Sequence, residues 1–249
     1  MGQELNFNTK INLPKGGSVQ YDSNKSNPKI KEEKNGSVSI YNADGATITG
    51  SEEGSRLNIY NSKNVTFNGT GEGKDNVKLY DTKFSTVNLN GGDDKAEVIR
   101  GEEVRVFGGL GNDDIYIQGK NNSAFDPFGN NDINAHGKGN SITTGGGDDN
   151  VMSVGSNGKI STTAGTNNIN VFGDDNIIDA GIDEQIIRIR GNNNEARSNG
   201  KGYIVSHGDN NKLSSNNEET VITSYGKKNI VESGNKYSVN AKKDDFFDD

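Results

Sequence analysis

Aspartate recurs in this chain at glycine-rich turns, where its type and spacing point to cation chemistry. The fullest turn is residues 108–116, Gly-Gly-Leu-Gly-Asn-Asp-Asp-Ile-Tyr, in which Asp113 follows two residues after Gly111. Glycine tolerates positive φ, so such turns bring main-chain carbonyl oxygens together beside the carboxylate. Oxygen donors in a flexible geometry suit calcium better than magnesium. The turn composition therefore predicts bound calcium.

The same turn returns at a nearly constant interval. If the glycine two residues before each aspartate is taken as a mark, the steps between marks are 19, 19, 18 and 18 residues. The marks are Gly73, Gly92, Gly111, Gly129 and Gly147, and the residues two places later are Asp75, Asp94, Asp113, Asn131 and Asp149. Stacked turns would set these carboxylates roughly one strand spacing, ~4.8 Å, apart. We expect a cation bridging two turns to relieve their repulsion.

Short apolar segments such as Ile115–Ile117 and Ile187–Ile189 separate the turns and recur about every nine residues. Alternation inside each segment predicts a strand with one buried face. A second column of turn glycines, half a period out of phase, runs Gly155, Gly173, Gly191, Gly208 and Gly226. These periods predict an all-β, right-handed parallel β-solenoid with 18-residue coils of two strands each. A coil of about 27 residues with three strands is the rival interpretation.

Composition agrees with a solenoid. Of 249 residues, 34 are glycine and only 29% are hydrophobic, too few for a conventional core but enough for one or two inward side chains per strand. The net charge of −8 argues against a nucleic-acid partner. No apolar run approaches the ~20 residues needed to span a bilayer, so no membrane-spanning segment is expected.

Both ends of the chain depart from the repeat. Residues 1–35 are polar and are expected to form a leader or an N-terminal cap, residues 36–240 the solenoid, and residues 241–249 an acidic-aromatic tail. The N-terminus lacks the features of a cleavable secretion signal. We expect the protein outside the cell or on its surface, exported by another route, with an intracellular location as the alternative.

The nonapeptide Gly-Gly-x-Gly-x-Asp-x-apolar-x at residues 108–116 resembles the repeats of the repeats-in-toxin β-roll family, with looser copies at 70–78, 89–97 and 144–152. The resemblance implies calcium between turns one coil apart and folding in the calcium outside the cell. It implies metal ligands from the carboxylates of Asp75, Asp94, Asp113 and Asp149 and from turn glycines, which are Gly73, Gly92, Gly109, Gly111 and Gly147.

Asparagine replaces aspartate in many turns. Asn131 interrupts the predicted ligand column, Asn167 follows Asp149, and the second column offers Asn193 and Asn210. A neutral amide closes a turn and hydrogen-bonds to its neighbour without an ion. Beyond Asp149 we therefore expect asparagine ladders, and turns without any metal are the alternative throughout.

The residues favour a non-catalytic structural or adhesive module that is secreted or surface-displayed, with a cell-surface glycan or protein as its partner. The alternatives are an extracellular polysaccharide-modifying enzyme or its substrate-binding module, and a metal-free structural solenoid or secreted effector. Outward Arg188 and Arg190 share one strand, but no aromatic groove is evident beside them. The two histidines, His136 and His207, are interpreted as surface turn residues. The sequence does not determine the oligomeric state.

Overall fold

The computed structural model describes residues 8–13, 16–23, 25–233 and 238–241. The chain forms two compact units, residues 1–125 and 126–249. All regular elements of the described residues are β-strands, and parallel coils stack in both units. The predicted parallel β-solenoid is confirmed. The predicted acidic-aromatic tail, apart from Ala241, lies outside the described residues.

In the first unit the strands alternate between two sheets, called here sheet A and sheet B. Sheet A has the order β1-β2-β5-β7-β9-β11-β13, and sheet B has the order β3-β4-β6-β8-β10-β12. The bounds are β1 Asn8–Asn12, β2 Ser18–Asp22, β3 Lys29–Glu32, β4 Val38–Tyr41, β5 Thr47–Thr49, β6 Arg56–Tyr60, β7 Thr66–Asn68, β8 Asn76–Tyr80, β9 Thr86–Gly91, β10 Lys95–Glu102, β11 Arg105–Leu110, β12 Asp114–Lys120 and β13 Ser123–Phe128.

The first three strands pair antiparallel. β1 pairs with β2, β2 with β5, and β3 with β4, whereas the later pairs of this unit are parallel. β2 and β3 therefore occupy one edge of each parallel stack. A covered edge exposes fewer unpaired main-chain groups to other chains.

The second unit repeats the alternation with parallel pairs. Sheet A has the order β15-β17-β19-β21-β23-β25, and sheet B has the order β14-β16-β18-β20-β22-β24-β26. The bounds are β14 Asp132–Lys138, β15 Ser141–Gly146, β16 Asn150–Val154, β17 Lys159–Ser161, β18 Asn167–Phe172, β19 Ile177–Ala180, β20 Glu184–Arg190, β21 Glu195–Ser198, β22 Lys201–His207, β23 Lys212–Ser215, β24 Thr220–Tyr225, β25 Ile230–Ser233 and β26 Ser238–Ala241.

Strand register decides the number of strands in a coil. Val77 lies opposite Ala96 in the first unit, and Ile160 lies opposite Ile178 in the second. These offsets are 19 and 18 residues, and each contains one strand of either sheet. The two-strand coil is therefore confirmed, and the three-strand alternative is wrong.

The core is a narrow column of alternate side chains. Ile115 and Ile117 of β12 and Ile187 and Ile189 of β20 are completely buried, while the residues between them face outward. Full burial of such a side chain contributes roughly 1.5–3 kcal/mol. Few inward residues are needed because each coil is covered by its neighbours.

Three tyrosines form a stacked ladder on the outer face of sheet B in the first unit. Tyr41, Tyr60 and Tyr80 are in register on β4, β6 and β8. Their ring centroids are 4.8 and 4.9 Å apart, with interplanar angles of 11° and 8°. The ladder follows directly from identical placement of tyrosine before successive turns.

Gly173 shows how closely the coils approach. Its φ is 136°, and a Cβ at this position would lie 2.1 Å from the carbonyl oxygen of Gly155 on the preceding coil. The backbone conformation and the contact both exclude a side chain. Gly146, in the same unit, has negative or extended φ and no heavy atom within 4 Å of its Cβ position.

We predict that Gly173→Ala lowers the free energy of unfolding by more than about 1 kcal/mol, because backbone strain and the clash with the Gly155 carbonyl both destabilise the folded state. Gly146→Ala is the matched control and should change it by less than about 0.5 kcal/mol. Urea unfolding of both variants measures the difference. Equal losses would contradict the close approach at Gly173.

Candidate functional site

The predicted ligands lie in the turns that lead from sheet A to sheet B, called here the A-to-B turns. In the first unit Asp75, Asp94 and Asp113 each stand directly before a sheet B strand and are 0, 2 and 2% exposed. Asp149 occupies the same position in the second unit and is 2% exposed. All four carboxyl groups therefore point into the solenoid.

One oxygen of each buried carboxyl group accepts a main-chain N–H from the preceding coil. Oδ1 of Asp75 accepts from Ser55 at 2.5 Å, and Oδ1 of Asp94 accepts from Asp75 at 2.7 Å. Oδ1 of Asp113 accepts from Asp94 at 2.8 Å. Each carboxylate therefore faces the turn of the preceding coil. The inward turn N–H needs an acceptor, and the side chain one coil later supplies it.

The second oxygen of the Asp75 and Asp94 carboxyl groups is buried and has no hydrogen-bond partner. Burial raises the pKa of Asp75 to about 6 and that of Asp94 to about 7, from an ordinary value of 3.8. For Asp94, the charges of Asp113 and Asp75 act in the same direction. Both carboxyl groups thus favour a proton or another positive partner.

In the second unit, amide side chains take this place at several turns. Asn131 Nδ2 lies 3.3 Å from the carbonyl oxygens of both Phe128 and Gly129. Gln185 Nε2 donates to the carbonyl oxygens of Ile182 at 2.7 Å and Gly165 at 3.0 Å. An amide therefore fills the turn with N–H donors. An ionised aspartate in the same position has two acceptor oxygens and no hydrogen-bond donor.

Main-chain oxygens gather beside Asp94. A Cβ at Gly92 would lie 2.9 Å from the carbonyl oxygen of Glu72, 3.1 Å from that of Gly73 and 3.2 Å from Asp94 Oδ1. Near Asp75, a Cβ at Gly69 would lie 2.4 Å from Oδ2 and 2.3 Å from the carbonyl oxygen of Leu89. Glycine keeps both places free of side chains. The carbonyls of Glu72 and Leu89 were not expected, because only the glycines carried the motif.

The other predicted glycines serve the stacking of coils. A Cβ at Gly109 would lie 2.0 Å from the carbonyl oxygen of Asn90, and one at Gly111 would lie 2.0 Å from that of Gly92. Gly147 has the same relation to the Gly129 carbonyl, at 2.0 Å. These glycines are required for close approach whether or not a metal binds.

Asp149 is flanked by amides in the second unit. Its Oδ1 accepts the N–H of Asn131 at 2.9 Å, and its own N–H donates to Asn167 Oδ1 at 2.9 Å. Burial raises its pKa, and its Oδ2 is buried without a hydrogen-bond partner, as in Asp75 and Asp94. No second aspartate of this unit adjoins it in the turn column, so the carboxylate pair of the first unit is not repeated here.

The opposite turns, from sheet B to sheet A, carry the expected asparagine ladder in the second unit. Asn176 Oδ1 accepts from Gly158, and three further links join Asn176, Asn194, Asn211 and Asn229, at 2.7 to 2.9 Å. The ladder residue is the third after the glycine, not the second as in Asn193 and Asn210. Those two residues have φ of 56° and 57° and are exposed.

The carboxylate and carbonyl oxygens near Asp75 and Asp94 are the kind of ligand that a hard cation prefers. Among the residues that the structure describes, no three His, Cys, Asp or Glu side chains form a metal-binding group. A calcium site here would therefore combine the Asp75 and Asp94 carboxylates with main-chain carbonyls such as those of Glu72 and Gly73. Calcium accepts such mixed oxygen donors.

The two histidines lie in strands rather than in turns. His136 is in β14 and His207 is in β22, where its ring stacks on Tyr225 with centroids 4.5 Å apart. Their interpretation as turn residues was therefore wrong, although His207 is exposed as expected. Phe172 and His207 lie on either side of Arg190 in register, so the strand of Arg188 and Arg190 does have aromatic neighbours.

No protein-family model, curated protein or solved structure matches this chain. The likeness to repeats-in-toxin proteins therefore rests on the turn motif alone. In the described ranges, no helix long and apolar enough to cross a membrane is present.

We predict that, in chelator, the free energy of unfolding decreases as the pH rises from about 4 to about 7. Folded Asp75 and Asp94 keep their protons where the unfolded carboxyl groups have lost them, because burial raises their pKa to about 6 and about 7. Urea unfolding across this range measures the slope. A variant with Asp75→Asn and Asp94→Asn should lose most of it, and an unchanged slope would contradict the assignment.

Proposed function

We propose that this protein is a non-catalytic structural β-solenoid in which calcium ties together the A-to-B turns of the first unit. The observation that carries the proposal is the buried Oδ2 of Asp94, which has no hydrogen-bond partner. At this position Asn131 of the second unit points an amide nitrogen at turn carbonyl oxygens. Aspartate in place of asparagine exchanges an N–H donor for a cation ligand.

Calcium would act here as a clamp between coils. Asp75 and Asp94 belong to successive coils and are joined through the Asp75 N–H and Asp94 Oδ1. Stacked carboxylates repel each other when ionised, and the cost is larger away from water. A divalent cation held by both carboxylates and the nearby carbonyls removes that cost. A ligand that binds only the folded chain adds stability in proportion to RT ln(1 + [L]/Kd).

We propose that the clamp works in the calcium-rich environment outside the cell, as the turn motif implies. A solenoid of this kind would fold after export and present two flat sheet faces. Secretion or surface display with a structural or adhesive role is the activity that this supports. The ion pair Lys78–Glu97 on sheet B and the ion pair Lys83–Glu102 beside a turn, at 2.7 and 2.5 Å, keep the surface polar.

We predict that calcium raises the melting temperature of the wild-type chain, corresponding to about 2.7 kcal/mol at a hundredfold excess over Kd. The variant with Asp75→Asn and Asp94→Asn should lose this response, because the amides cannot replace carboxylate ligands. In chelator at pH 8 the same variant should be more stable than the wild type, since it buries no charge. Calorimetry with calcium and with chelator measures both effects.

Asp93→Asn is the matched control in the same turn. Asp93 is exposed, and its Oδ1 accepts the N–H of Asn112 at 2.9 Å, which an asparagine oxygen can also do. The calcium response should survive this change. Identical melting of the wild type in calcium and in chelator would overturn the clamp and leave the asparagine-ladder alternative.

A further inference from the structure

On the outer face of sheet B in the second unit, carboxylates lie only at the margins of the central columns, at Asp132 of β14 and Glu184 of β20. This face, called here the arginine face, comprises the outward residues of β16, β18, β20, β22 and β24 in register with Ile186, Arg188 and Arg190. None of these positions carries Asp or Glu, although the chain has 35 acidic residues. Glu184 is an outward residue at the start of β20, at the margin of this face, and it lies in register with Lys201. The local charge is therefore positive on an acidic protein.

The two guanidinium groups differ from several cations on the sheets that face a carboxylate on a neighbouring coil. Examples are Lys78 with Glu97 at 2.7 Å and Lys212 with Glu195 at 3.8 Å. Within the described residues, Arg188 and Arg190 form no ion pair, and both are exposed. Their charge is available to an external anion.

Arg188 is held by a chain of amides. Its Nη1 donates to Asn168 Oδ1 at 2.8 Å, and Asn168 Nδ2 donates to Asn150 Oδ1 at 3.1 Å. A side chain that is fixed before binding loses less conformational entropy when a ligand arrives. The remaining N–H groups of this planar guanidinium suit bidentate hydrogen bonding to a carboxylate.

Arg190 lies between aromatic rings. Its guanidinium carbon is 5.8 Å from the centroid of Phe172, and His207 is its partner in register on the other side. His207 in turn stacks on Tyr225. Tyr203, 53% exposed, adds a further aromatic side chain on β22. One cation, Arg190, thus lies between Phe172 and the His207–Tyr225 stack, an arrangement that suits a ligand with rings and negative charges.

We propose that the arginine face binds a linear acidic polysaccharide, with Arg188 and Arg190 contacting its carboxylates and Tyr203 its sugar rings. The face extends along successive coils, so it offers repeated contacts to an extended chain. At physiological salt the Debye length is about 8 Å, so the acidic groups elsewhere do not cancel the local charge. A net charge of −8 disfavours the denser phosphates of nucleic acid.

This inference does not depend on calcium binding in the first unit. The test is fluorescence anisotropy with labelled hexagalacturonate, compared with neutral maltohexaose and with a single-stranded oligodeoxythymidine. We expect the wild type to bind hexagalacturonate, with affinity falling as sodium chloride increases, and not to bind maltohexaose. The variant with Arg188→Gln and Arg190→Gln should lose about tenfold or more in affinity.

The matched control is the variant with Lys159→Gln and Lys212→Gln, which removes two positive charges from exposed positions on sheet A of the same unit. Its affinity should stay within about twofold of the wild type. Circular dichroism and melting verify that both double variants fold. Absence of wild-type binding, equal losses in the two double variants, or tighter binding of the oligodeoxythymidine would each overturn the proposal.

Discussion

The fold depends on one recurring hydrogen bond, in which a buried side-chain oxygen accepts a main-chain N–H from the coil before it. Turns leave N–H groups facing the interior, where water cannot reach them, and an unmet donor there is costly. Asp94, Asn176 and Asn194 all supply the missing acceptor at 2.7 to 2.9 Å. The bond joins each coil to the next, so the stacking and the turns stabilise each other.

Asparagine and aspartate accept the same hydrogen bond through one side-chain oxygen, but the second polar atom of the side chain differs. The amide nitrogen of Asn194 goes on to donate to the Gly173 carbonyl oxygen at 3.0 Å, and the turn is complete. The second oxygen of Asp94 cannot do so while it is ionised. Aspartate at such a position is less stable than asparagine, because one of its oxygens is buried without a hydrogen-bond partner. A buried unpaired oxygen at a defined place points to a bound ligand or a proton.

Glycine spacing and strand alternation were sufficient to predict the parallel solenoid and its two-strand coil, because each coil repeats one local pattern. The same sequence did not reveal that Asp75 and Asp94 face inward, since this depends on which coil supplies the N–H. It also placed the asparagine ladder one residue early, because the second residue after the glycine takes positive φ. The aromatic neighbours of Arg190 come from three other strands, 17 to 35 residues away, and strand register alone brings them together.

The glycine contacts also limit which insertions and deletions such a chain can tolerate during evolution. The Gly173 Cα lies against the Gly155 carbonyl, and the same relation continues from Gly173 to Gly191 and from Gly191 to Gly208. Inserting or deleting one residue inside a coil would move every later glycine away from its partner. Duplicating or losing a whole coil would preserve each contact, because every coil presents the same surface to its neighbours. The unit of tolerated variation in length is therefore the complete coil, and relatives of this protein should differ by multiples of it.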